Sequence, residues 1–124
     1  LTVAATPWTR TGTTARLRLL YANEGKKPKE LKIYVLVCED EAGKPMELAI
    51  KADTVGSTIR GLLDVLGTTA SMALERGASV DDVICSWRNT QFEPSGRVGQ
   101  ERVGSIVDAV AMWLASRYIP PAVP

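Results

Sequence analysis

The residues best equipped for chemistry lie in two short stretches. Trp87-Arg-Asn-Thr-Gln-Phe-Glu-Pro-Ser-Gly96, continuing through Arg97 to Arg102, gathers three arginines, several amide and hydroxyl groups, glycines and one aromatic between two helical patterns. Glycine-containing loops leave backbone N–H groups free, and arginine grips phosphate through paired hydrogen bonds. Phe92 could stack on a base or a ribose. The same residues also suit plain architecture, with Phe92 as a core plug and Glu93-Pro94 shaping a turn. The second stretch, Thr54-Val-Gly-Ser-Thr-Ile-Arg60, opens a long helical pattern. Free N–H groups and the helix dipole favour anions there. Ser57 and Thr58 either cap the helix or touch phosphate, with Arg60 one turn in. The stretch lacks GxxxxGK and is not a Walker loop.

Composition excludes much else. The chain has no histidine, which removes a Ser-His-Asp triad, a Cys-His dyad and any His-ligated metal. Cys38 and Cys85 are far apart and read as core thiols in a reduced compartment. Glu93 and Asp108 could pair as acid and base, but read as capping and surface groups; Glu39, Asp40 and Glu41 read as turn residues. No cofactor is expected. Fifteen basic residues against fourteen acidic ones give a net charge of +1, too balanced for bulk attraction to a nucleic-acid polymer or a membrane. Arg16, Arg18, Lys26, Lys27, Lys29 and Lys32 concentrate positive charge in the first half. They read as a solvated strand edge, with attraction of a ligand or partner as the alternative. No apolar run approaches the roughly 18–20 residues of a membrane helix, and Leu1–Ala5 lacks the basic flank of a signal peptide. The expected location is the cytoplasm.

These residues need elements to position them. The 124 residues suit a single domain. Residues 1–12 read as an arm carrying Pro7 and Trp8. Strand patterns follow at Thr13–Tyr21, Leu31–Cys38 and Pro45–Lys51, each with apolar residues at alternate positions. A 3.6-residue period then predicts a helix from Ser57 to Arg76, and Ser79-Val-Asp-Asp82 caps a short second helix with Val83, Ile84 and Trp87 inward. Residues 90–104 read as a loop, and Ser105–Tyr118 as the last helix. Strands at 13–51 followed by helices at 55–119 predict an α+β fold: a small antiparallel sheet of about three strands, with two main helices and a short one packed on one face. The open second face and the edges suit a homo-oligomer.

The order of these motifs resembles the TSCPD domain that closes many adenosylcobalamin-dependent ribonucleotide reductases. The likeness runs over roughly 31–119 and rests on Ser57-Thr-Ile-Arg-Gly-Leu-Leu63, Ala73-Leu-Glu-Arg-Gly-Ala-Ser-Val-Asp-Asp82, Thr90-Gln-Phe-Glu-Pro-Ser-Gly96, Ser105-Ile-Val-Asp108 and Trp113-Leu-Ala-Ser-Arg-Tyr-Ile119. The reductase's catalytic barrel and its C-terminal cysteine pair have no counterpart in this sequence. Stand-alone forms of the domain resemble phage anti-defence proteins of the Thoeris type, sponges that sequester cyclic ADP-ribose signals and in some cases cyclic oligonucleotides. That resemblance implies a non-catalytic protein with a pocket between subunits. Phe92 would stack on a base, Arg97, Arg102 and Arg60 would hold phosphate, and Asn89 and Gln91 would reach base or ribose. The competing expectation is an interaction module of a reductase, without activity of its own.

Overall fold

The computed structural model describes residues 11–22 and 24–120. The expectations for Pro7 and Trp8 lie outside the described residues. Three long strands come first: β1 (Thr11–Tyr21), β2 (Lys29–Glu39) and β3 (Pro45–Ala52). Leu17 and Leu19, Leu31 to Val37 at odd positions, and Leu48 and Ile50 all turn to one face and are buried. That strict alternation sets the register, because a one-residue slip would expose every one of them. The turn between β2 and β3 is built by Asp40, whose Oδ1 accepts from Ala42 N and Lys44 N, both at 2.9 Å.

The helices α1 (Ser57–Glu75), α2 (Val80–Trp87) and α3 (Ile106–Tyr118) cover that face. The fold is α+β with an antiparallel sheet, as expected, but the sheet has five strands rather than three. The segment 90–104 is not simply a loop: it contains β4 (Gly96–Val98) and β5 (Glu101–Val103). The order is β3-β2-β1-β4-β5, so β1 is central.

α1 runs along the outer side of β3 and closes that edge. Ser71 Oγ accepts from Leu48 N at 2.8 Å and has its one proton within reach of the Gly67 (2.9 Å) and Leu48 (3.2 Å) carbonyl oxygens, which engages edge-strand groups left without a neighbour. Gly67 permits this approach, since a Cβ there would lie 2.9 Å from Leu48 O. α2 begins with the expected capping box between Ser79 and Asp82. Arg117, near the end of α3, donates to Thr13 Oγ1 (2.9 Å) and Glu39 Oε1 (3.2 Å), and the Tyr118 hydroxyl donates to Glu39 at 3.1 Å. Burial raises the Tyr118 pKa above its ordinary value, so the phenol stays a donor. Cys38 is half-buried, but Cys85 is exposed and is not a core thiol: it falls on the outer side of α2.

Candidate functional site

The segment after α2 is anchored from beneath by Asp108, in the first turn of α3. Asp108 is 3% exposed. Its Oδ1 accepts from Arg88 Nη1 (2.9 Å) and Asn89 N (2.8 Å), and its Oδ2 from Gly104 N (2.8 Å). Its own N–H donates to Ser105 Oγ, which also meets Thr90 Oγ1 at 2.8 Å. The expectation of a surface or capping role for Asp108 is therefore corrected: it is a buried hub holding both ends of 88–104. The spacing Ser105-x-x-Asp108 was the available signal, because an N-cap serine draws the residue three positions on toward the helix start.

Asn89 and Gln91 belong to this base. Asn89 adopts a left-handed backbone (φ 66°), which asparagine tolerates better than most residues. The Gln91 amide packs on Gly104, where a Cβ would come within 2.5 Å of Nε2.

Above the hub, two concavities meet. The first, about 570 Å3, opens at the start of α1 between Thr54–Gly56, Tyr21 and Glu93–Ser95. The expected cap from Ser57 or Thr58 is absent: the N-cap is Gly56, without a side-chain hydrogen bond, and the first turn has no acidic residue. The first-turn amides thus carry uncompensated positive potential at the opening. Arg60 folds back to donate to Val55 O at 3.3 Å. Thr54 sits at φ 52°, a strained conformation for a β-branched residue, and such strain gathers at functional sites. The second concavity, about 420 Å3, is apolar and lined by Ile59, Leu62, Leu66, Phe92 and Val107. It shares Ile59 and Glu93 with the first. Phe92 is 45% exposed, so it is not a core plug.

Arg97 and Arg102 lie elsewhere. They are direct partners across β4 and β5, and Arg97 also stands opposite Leu20 of β1. Leu17 and Leu19 face the helices, so Leu20 and the two arginines face the other way. The structure therefore brings Phe92 to the apolar cavity, leaves Arg60 on the first turn of α1 outside the lining of both cavities, places Asn89 and Gln91 in the support, and sets Arg97 and Arg102 on the opposite side of the sheet. Tyr21 was not among the expected site residues, and Thr54 and Glu93 belonged to the two expected stretches without being assigned a ligand contact. No periodicity marks them, because turns and loop packing bring them together.

Among the described residues, no group of three or more histidine, cysteine, aspartate or glutamate side chains could hold a metal ion, and no helix is long and apolar enough to cross a membrane. The site has at one end the uncapped first-turn amides of α1, with the Glu93 carboxylate beside them, and at the other an apolar, aromatic surface. That pairing suits the phosphate and base of a nucleotide.

Comparison with known proteins supplies the family. A vitamin B12-dependent ribonucleotide reductase of Rhodopirellula baltica is 32% identical over 80 residues, covering 62% of this chain and 8% of that protein. Those of Streptomyces clavuligerus and Streptantibioticus cattleyicolor are each 30% identical over 77 residues, 60% of this chain and 8% and 13% of the respective relatives. The chain thus corresponds to a small part of each. No solved structure matches it. The family model for the TSCPD domain matches residues 11–118, nearly all of the described fold, and the chain belongs to the TSCPD domain family.

Proposed function

We propose that this domain binds a nucleotide-type signal without transforming it, sequestering cyclic ADP-ribose isomers or cyclic oligonucleotides in the cytoplasm in the manner of a phage anti-defence sponge. The observation that carries the reading is the 570 Å3 cavity at an uncapped helix start, joined to an apolar shelf bearing Phe92. Its volume falls within the range of small-molecule sites. Phosphate would take the first-turn amides of α1 and the Arg60 guanidinium; a base would lie on Phe92. Glu93, between the two, would accept from ribose hydroxyls. A homo-oligomer fits the same place. Leu62, Val65 and Met72 form an outward stripe on α1, exposed by 63%, 62% and 46%, and continue the shelf. A second copy packed on that stripe would close the ligand between subunits.

Calorimetric titration with a panel of cyclic ADP-ribose isomers and cyclic oligonucleotides tests this, with chromatography of the recovered ligand. The expected result is saturable binding, one ligand per two chains, and intact ligand. Phe92→Ala should weaken binding about 5- to 150-fold, the range for losing one base–aromatic stack, and leave the melting temperature unchanged. A melting temperature that falls with affinity would return Phe92 to an architectural role. Breakdown products would make the protein an enzyme.

A second reading is favoured by the relatives. The domain would be an interaction module of a ribonucleotide reductase, inactive by itself, since the chain matches only 8–13% of those proteins. It gains if the whole panel fails to bind while the purified domain associates with the remainder of such a reductase.

A further inference from the structure

The open face of the sheet is distinct from the cavities. The register places its outward residues in rows: Arg102, Arg97, Leu20 and Glu30 in one; Arg18 and Lys32 in the next; Arg16, Tyr34 and Lys51 in a third; Thr14, Leu36 and Ala49 in a fourth; Gly12, Cys38 and Glu47 in the last. Six cations thus share one surface with one aromatic. Two are compensated, Arg18 by Glu30 at 3.4 Å and Lys51 by Asp64. Arg16, Lys32, Arg97 and Arg102 have no ion-pair partner among the described residues. Arg97 stands directly opposite Arg102, and Arg18 opposite Lys32. Like charges in such cross-strand pairs destabilise a sheet, so this face gains when something anionic covers it. The balanced net charge hid this arrangement. Asp81, Asp82, Glu93 and Asp108 lie in the helices and the interhelical segment, and Glu30 and Glu47 on the sheet face stand against six cations, so the face stays net cationic.

We propose that the open sheet face binds single-stranded nucleic acid. The rows from Arg102 on β5 to Lys51 on β3 cross four strand spacings, about 19 Å, a track for several consecutive phosphates. Arginine supplies most of the cations and matches phosphate through its planar fork. Tyr34, 37% exposed between Arg16 and Lys51, presents a ring to a base. A base stacks there only when it is unpaired, which selects a single strand over a duplex. A second copy of this chain is a poor occupant, because two such faces would set cation against cation.

Fluorescence anisotropy of the full chain with a labelled oligothymidylate of about twelve nucleotides tests the proposal. Four uncompensated cations predict a slope of about −2.8 for log K against log salt, hence about fiftyfold weaker binding at 200 mM than at 50 mM. Arg97→Gln should flatten the slope by about 0.7. Tyr34→Ala should weaken binding by about 5- to 150-fold with the slope unchanged. Both positions are surface sites, and unaltered melting curves will show that the variants fold. Absence of saturable binding at about 50 mM salt overturns the proposal. So does tighter binding to the corresponding duplex, or binding that ignores Tyr34→Ala, which would reduce the face to unspecific anion adhesion. Neither variant touches the cavities at α1, so titration with cyclic nucleotides should be unchanged and the two proposals fail separately.

Discussion

Asp108→Ala should destabilise the protein by about 2–4 kcal/mol, the cost of leaving two backbone N–H groups without an acceptor and a half-exposed arginine without its counter-charge. The magnitude follows from what is left behind. Asn89 N and Gly104 N lose their acceptor in a place where water replaces it poorly, and Arg88 loses its counter-charge. A domain of this size has about 5–15 kcal/mol in total, so the loss is a large share of it. Urea unfolding followed by tryptophan fluorescence will read it as a lower midpoint. Asp108→Asn tests the mechanism. It keeps the shape but turns an amide toward one of the donors, and should cost about 2–3 kcal/mol. A loss below about 1 kcal/mol for the alanine variant would mean that the 88–104 segment is held by something other than this hub.

Gly96→Ala should cost about 3 kcal/mol or more, for a steric reason. A Cβ at Gly96 would lie 1.8 Å from Leu20 O and 2.8 Å from Leu20 C, both backbone atoms with nowhere to go. β4 must then leave β1, and the pairs Leu20–Arg97 and Tyr21–Gly96 are lost. Gly61→Ala is the internal comparison. Gly61 is within α1, and a Cβ there meets nothing within 4 Å. That change should stabilise by about 0.5–1 kcal/mol through helix propensity alone. Opposite signs from the same substitution would isolate contact from conformational freedom. A neutral Gly96→Ala would show that β4 docks more loosely than its register implies.

Much of the fold is legible in the sequence because period two is hard to mistake. Ile33, Val35 and Val37 in alternation read directly as a strand, and all three are buried. The apolar run of Leu31–Cys38 also suggested cover on most of both faces, but Tyr34 and Leu36 on the other face are 37% and 42% exposed because no layer among the described residues packs there. β4 and β5 have three residues each, too few for a period, and β4 gains its partner from a strand far back in the chain. The helical period of α1 located the helix but mixed two faces. Leu63, Ala70 and Leu74 are buried, whereas Leu62, in the same run, is 63% exposed. The candidate site suffered from the same limitation. Phe92 is five residues from Arg97, and proximity in sequence suggested one pocket. The β4–β5 hairpin instead carries the arginines to the far side of the sheet.

The strand order has a consequence in time. β1, β2 and β3 pair through neighbours in the chain, so their ladders close over short loops. β4 reaches β1 only after Tyr21 finds Gly96, 75 positions later (96 − 21), with α1 and α2 between. The entropy of closing that long segment delays the contact until the helices have shortened the path. The meander is then the early structure, and the hairpin that carries Arg97 and Arg102 is the last to arrive. In pulse-labelled refolding, the amides of β2 should become protected from exchange before those of β4. The open sheet face would be complete only in the final step of folding.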